Sequence, residues 1–168
     1  RPGQRMLVQG ASGGVSTALI QLGRAAGMTV WVTGRTEEKR ALAVRLGAHE
    51  VFEPGARLPA RVDGVFETVG EATWAHSMRA VSPGGVIVCS GATSGPHADA
   101  DLQRLFFLQI RVEGSTMGTR HELIDLLAFV ESSGIEPQIG LVLPLERAEE
   151  GFRAMLSGET AGKIVFTR

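Results

Sequence analysis

The sequence predicts an α/β fold, a doubly wound parallel sheet with helices on both faces. Three observations predict it. Short β-branched or apolar runs alternate with stretches of helical spacing, and such alternation builds parallel sheets because each right-handed crossover returns the chain to the same edge. Glycines, 22 of the 168 residues, fall between the apolar runs and punctuate many short elements. Runs such as Val86-Ile87-Val88 are apolar throughout, as a strand covered on both faces requires.

Taken in order, Arg5 to Gln9 reads as a strand that runs straight into Gly10-Ala11-Ser12-Gly13-Gly14. From Val15 onward, Leu19, Ile20, Leu22 and Ala26 fall at helical spacing, and Gly27 closes that helix. Thr29 to Thr33 is β-branched and completes a strand-helix-strand unit. A polar helix from Thr36 to Leu46 stops at Gly47, and a short strand follows at Glu50 to Phe52. After a loop holding Pro54, Gly55 and Pro59 come a strand at Asp63 to Thr68 and a helix at Ala72 to Ala80. Pro83-Gly84-Gly85 then turns into a strand at Val86 to Ser90. Beyond Asp99 the expected elements are a helix at Leu102 to Leu108, a strand at Ile110 to Gly114 and a helix at His121 to Ser132. A strand at Leu141 to Leu143, a helix at Leu145 to Leu156 and a strand at Lys163 to Thr167 close the chain.

Composition narrows the function. Basic and acidic residues nearly balance, 17 against 18, so the positive field that draws a protein to nucleic acid is missing. No apolar run approaches the roughly 20 residues needed to cross a bilayer. One cysteine, Cys89, cannot form an internal disulfide, and the four histidines show no pair at a zinc spacing. A cytoplasmic domain without a metal of its own is the expectation. The chain opens on Arg1-Pro2-Gly3-Gln4, without signal-peptide character or an initiator Met, so a piece of a longer protein is expected.

The segment Gly10-Ala11-Ser12-Gly13-Gly14-Val15-Ser16 joins a strand to a helix. Gly13 and Gly14 carry no Cβ, so backbone can approach a diphosphate closely, while the free N–H groups and dipole of the helix start favour its negative charge. Ser12 adds a hydroxyl donor. The GxGxxG pattern is not met, since Ala11 and Ser16 occupy its first and third glycine positions. A bare glycine loop suits a plain tight turn equally well; the complete strand-helix-strand frame favours dinucleotide binding.

An acidic residue at the end of the second strand binds the ribose 2′-hydroxyl in NAD-selective sites. Here the strand ends Val32-Thr33-Gly34-Arg35, with no carboxylate, and the Arg35 guanidinium suits a 2′-phosphate, supported by Lys39 one helical turn on. Glu37 and Glu38 suit a helix start, whereas two cations there oppose the dipole unless an anion sits nearby. The alternative is that Arg35 and Lys39 are merely solvated charges. The sequence favours NADPH.

With those segments in place, the chain resembles the medium-chain dehydrogenase/reductase superfamily and, within it, the zinc-independent quinone oxidoreductase branch. The resemblance also rests on Leu46-Gly47-Ala48-His49-Glu50-Val51-Phe52, Val62-Asp63-Gly64-Val65-Phe66-Glu67-Thr68-Val69-Gly70, Gly114-Ser115-Thr116-Met117-Gly118 and Gly162-Lys163-Ile164-Val165-Phe166. It implies a Rossmann-type sheet in which Ser12, Gly13, Gly14 and Val15 hold the pyrophosphate while Gly34, Arg35 and Lys39 face the 2′-phosphate. It further implies that Val69, Gly70, Gly91, Ala92 and Thr93 line the cofactor groove, with Ser115, Thr116 and Met117 near the nicotinamide. For Val69 and Met117, plain core packing is the alternative. Ser16 departs from the glycine usual in this branch and bears on how closely helix and sheet approach.

The resemblance divides the chain into a dinucleotide-binding domain, 1–140, and a C-terminal segment, 141–168, that would return to a catalytic domain preceding Pro2-Gly3. The implied activity is hydride transfer from NADPH to a quinone, enone or enoyl thioester, the cofactor carrying the chemistry. No residue of this chain takes a catalytic role in that reading. A short-chain dehydrogenase needs a tyrosine, and there is none. The other readings are a noncatalytic NADPH-binding module and a zinc-dependent alcohol dehydrogenase whose metal ligands lie elsewhere. The expected partners are NADPH and a small electrophilic substrate, with neither nucleic acid nor membrane; a homodimer is the assembly considered.

Overall fold

A computed structural model describes residues 1–158 and 160–168. Six strands form one parallel sheet: β1 (Arg5–Val8), β2 (Thr29–Thr33), β3 (Glu50–Phe52), β4 (Val62–Glu67), β5 (Val81–Cys89) and β6 (Arg111–Gly114). Their order across the sheet is β3-β2-β1-β4-β5-β6, so the chain winds outward in both directions from β1 and β4. That is the doubly wound arrangement of a Rossmann-type sheet. α1 (Gly14–Ala25), α2 (Glu37–Arg45), α3 (Glu71–Ala80) and α4 (Leu102–Phe107) make four of the five connections, and β3 passes to β4 through a loop.

The alternation of side chains along the strands divides the core in two. Leu7, Trp31, Val65 and Ile87 point to one face and pack with Met78 of α3 and with Ile110. Met6, Val8, Val30 and Val32 point to the other, against Ile20 of α1 and Ala43 of α2. α1 lies close to the sheet because Gly23 meets β1 and β2: a Cβ there would stand 2.5 Å from the Met6 sulfur and 3.1 Å from Val30 Cγ2. Gly27 (φ +74°) and Gly47 (φ +107°) follow α1 and α2 in the left-handed conformation that ends helices.

The turn expected at Pro83-Gly84-Gly85 lies inside β5. Val81 pairs with Val62, and the register resumes only at Val86 opposite Gly64. The four residues between them bulge outward, yet stay tied to their neighbours, with the Gly84 N–H donating to the Leu108 carbonyl at 2.7 Å. A strand that runs through this excursion replaces the predicted turn. The helix expected at Leu145 to Leu156 is also divided, into a 3-10 turn at Leu145–Arg147 and α6 (Ala148–Ser157).

α5 (Arg120–Ser133) follows β6 and buries none of its residues. Beyond it, β7 (Ile139–Pro144) and β8 (Lys163–Thr167) form a separate two-stranded parallel sheet, with α6 between them. Phe152 of α6 and Phe166 of β8 stack at 5.9 Å between ring centroids. Among the described residues no helix is long and apolar enough to cross a membrane.

Candidate functional site

The strand order reverses between β1 and β4, and connections leaving in opposite directions there open a crevice at the C-terminal ends of the strands. A cavity of about 740 Å³ occupies it. Another hollow, of about 530 Å³, lies around Gln4, Asp63, Ser82 and Arg111, toward the strands' N-terminal ends. Only the first combines strand ends with a helix start.

Backbone geometry shapes its floor. Gly10 adopts φ +88°, and Ser16 Oγ and Val69 Cγ2 each stand 3.6 Å from the place its Cβ would take. Ser16 is 2% exposed, with its hydroxyl tucked between Gly10 and Gly13, so the turn holds a serine where the pattern has a third glycine. Gly13 is the N-cap of α1; no side chain caps it and no acidic residue stands in the first turn. The first-turn N–H groups are therefore open to an external anion.

The walls are cationic. Arg35 and Lys39 line the cavity beside Ser12, Gly13, Gly14 and Val15, and none of its described lining residues is acidic. A smaller hollow of about 560 Å³ shares this turn and extends beneath the C-terminal unit. There Lys163 crosses Gly14 so closely that a Cβ on Gly14 would lie 2.7 Å from Lys163 Cε and 2.9 Å from Nζ. Gly162 donates its N–H to the Ser12 carbonyl at 2.8 Å, and Lys39 Nζ donates to the Gly158 carbonyl at 3.0 Å. The C-terminal unit is thus anchored to the glycine turn.

Gly34 is buried beneath Arg40: a Cβ there would stand 2.9 Å from Arg40 Cγ and 3.0 Å from Ala11 Cβ. Arg40 donates to the Gly34 carbonyl at 2.8 Å and lies 3.6 Å from Glu53, which fixes the end of β2. Arg35 has no acidic partner among the described residues and is exposed at the cavity rim.

Across the crevice, Val69 and Thr93 line the same cavity. Gly70 and Gly91 lie behind them, where the loops after β4 and β5 press together. A Cβ on Gly70, which sits at φ +90°, would be 2.6 Å from the Gly95 carbonyl oxygen and 2.9 Å from Ala92 Cα; one on Gly91 would be 2.8 Å from the Thr68 carbonyl oxygen. Ser115, Thr116 and Met117 continue from the end of β6, outside the lining of this cavity. Met117 is 95% exposed, which removes core packing as its role.

A buried polar chain underlies both sides. Thr33 Oγ1 accepts from the Gly10 N–H at 3.2 Å and donates to Gln9 Oε1 at 2.7 Å. Gln9 Nε2 donates to Ser77 Oγ at 2.9 Å and lies 3.0 Å from His76 Nδ1. His76 Nε2 lies 2.9 Å from the Ala56 carbonyl, which assigns its proton to Nε2 and leaves Nδ1 as the acceptor. Burial holds this imidazole below its ordinary pKa. Ser77 passes the chain on to Glu67 Oε2 at 2.6 Å.

Sequence reasoning missed Gln9, Glu67, Arg40 and Lys163. For Glu67 the signal was a carboxylate directly after Val65-Phe66 at a strand end; for the others only the folded chain supplies the neighbour.

Residues 14–132 match the family model described as zinc-binding dehydrogenase. The quinone oxidoreductase of Mus musculus is 29% identical over 98% of this chain and 55% of its own. A solved structure described as an NAD-dependent alcohol dehydrogenase superposes with TM-score 0.91 at 33% identity, covering 100% of this chain and 52% of that one. The 2-octenoyl-CoA carboxylase reductase CinF, solved with NADP and 2-octenoyl-CoA, gives TM-score 0.91 at 26% identity over 98% of this chain and 43% of that one. The chain spans about half the length of the curated relatives it matches. Despite the zinc in the family's description, no group of three or more His, Cys, Asp or Glu side chains among the described residues could hold a metal ion. This chain belongs to the zinc-binding dehydrogenase family, within the medium-chain dehydrogenase/reductase superfamily.

Proposed function

We propose that this chain binds NADPH across the crevice and that, in the whole protein, the bound dinucleotide serves hydride transfer to an electron-poor acceptor. The observation that carries this reading is the charge pattern at the turn. Uncapped N–H groups of α1 face a cavity bordered by Arg35, Lys39 and Lys163, with no carboxylate among its described lining residues. Three cations around open helix amides suit a ligand with several phosphates.

In this reading Ser12, Gly13, Gly14 and Val15 hold the pyrophosphate, with Lys163 above it. Gly34, Arg35 and Lys39 face the adenosine 2′-phosphate, with the Arg35 guanidinium, backed by Lys39, pairing with it. The nicotinamide half extends over β4 and β5 past Val69, Gly70, Gly91, Ala92 and Thr93, toward Ser115, Thr116 and Met117. When bound, the reduced nicotinamide supplies the hydride. The chain's own residues bind and orient it, and no acid or base is assigned among them.

The acceptor class is a quinone, enone or enoyl thioester, which the names of the mouse relative and of the octenoyl-CoA reductase support. Residues 1–140 would form the cofactor domain, and 141–168 would bridge it to a catalytic domain outside this sequence. NADH is the competing cofactor, as the NAD-dependent neighbour indicates, and Arg35 decides between them.

Calorimetric titration tests the choice. NADPH is expected to bind more tightly than NADH, and Arg35→Ala to weaken NADPH by about tenfold or more, the worth of one charged hydrogen bond, while leaving NADH unchanged. Equal affinities that ignore the substitution would overturn the NADP assignment.

A further inference from the structure

Glu67 closes β4 and is fully buried, at 0% exposure, with no cation hydrogen-bonded to it among the described residues. Its Oε1 accepts the backbone N–H of Val69 at 2.9 Å and that of Gly70 at 3.0 Å, together with the Thr73 hydroxyl at 2.8 Å. Its Oε2 accepts from Ser77 at 2.6 Å. Two of these four donors are consecutive amides of the loop that walls the crevice, and the other two belong to α3, which that loop begins. Buried carboxylates are costly unless fully hydrogen-bonded, and here the four bonds tie the loop to the helix it begins.

We propose that Glu67 is a positioning residue for the nicotinamide half of the dinucleotide. It holds the Val69–Gly70 peptide flat against the start of α3, so that Gly70 keeps its left-handed φ of +90° and Val69 stays turned to the crevice. The strand reversal puts this loop on the β4 side, while Arg35 follows β2 on the adenosine side. The direct bonds of Glu67 to backbone thus bear on one half of the ligand, and it reaches the Gly10 N–H on the other side only through Ser77, Gln9 and Thr33. The inference rests on the NADPH reading and separates from it by that one-sidedness.

The test compares two probes on the 168-residue chain: NADPH, which spans the crevice, and 2′,5′-ADP, which carries only the adenosine half. Glu67→Ala leaves both loop amides without an acceptor. It is expected to weaken NADPH by about tenfold or more while changing 2′,5′-ADP by less than about twofold. Glu67→Gln keeps one oxygen for the amides and is expected to recover most of the lost affinity. Amide hydrogen exchange at Val69 and Gly70 should quicken in the alanine variant and return toward normal in the glutamine variant.

If Glu67→Ala fails to fold, Glu67→Asp, which draws the carboxylate back by one methylene, is read for the same split. Equal losses for both probes, or an NADPH affinity untouched by alanine, overturn the positioning role and leave the NADPH reading standing. A parent chain that binds neither probe overturns both.

Discussion

His76 is 6% exposed and branches at Gln9 from the chain of hydrogen bonds beneath the crevice. Burial, ahead of every other influence, lowers its pKa from the usual 6.5, while the Ala56 carbonyl pulls the other way. The folded state therefore binds this proton less readily than the unfolded chain. Its contribution to stability is complete above the unfolded value of about 6.5 and is lost as pH falls below it toward the folded value. Urea denaturation across that range should show stability dropping on acidification, with a shallower drop in His76→Gln. Identical slopes would assign the loss to His49, which burial and the Arg24 guanidinium also hold low. Single residues were unevenly legible in the sequence. The placement of Ser12, Gly13, Gly14 and Arg35 at the strand ends could be read from local order, because a turn and the residue after a strand are local facts. Gln9 could not, because its partners Ser77 and His76 arrive from a helix that becomes its neighbour only when β1 pairs with β4.

Elements with strong β-branching were read closely: β2, β3 and β8 have the bounds that their runs of Val, Ile, Thr and Phe suggest. The excursion in β5 was not, because Pro83-Gly84-Gly85 has the composition of a turn and behaves locally as one. Only the pairing on both sides, to Val62 and then to Gly64, makes it part of a strand. α5 illustrates the reverse. Its spacing is plainly helical, and Thr119 and Glu122 close a full capping box, with the Thr119 N–H and hydroxyl holding the Glu122 carboxyl below the usual range. Nothing in that pattern reports that the helix stands in solvent, with Leu123 54% and Leu127 58% exposed. A helix without packing depends on its caps. Thr119→Ala is expected to speed amide exchange throughout α5 while shifting the urea unfolding of the six-stranded sheet by less than about 0.5 kcal/mol. A global loss of more than about 1 kcal/mol would mean that α5 is coupled to the core after all.

At the scale of the molecule, β7, α6 and β8 pack mainly on one another and reach the larger sheet's connections through Gly162, Lys163 and the Lys39 bond to Gly158. The large sheet is therefore expected to fold without them, whereas the glycine turn loses Lys163. A chain ending after residue 133 is expected to keep its cooperative unfolding transition and to bind NADPH about tenfold more weakly, as measured by calorimetry. Affinity equal to that of the full chain would show that Lys163 does not reach the ligand. The tie from Gly162 to Ser12 joins the approach to β8 to the turn that follows β1. During synthesis every strand of the larger sheet is made before the amide that fastens this latch. The glycine turn thus gains its clasp only after the six strands around it exist, and until β8 is made that side of the crevice stands open.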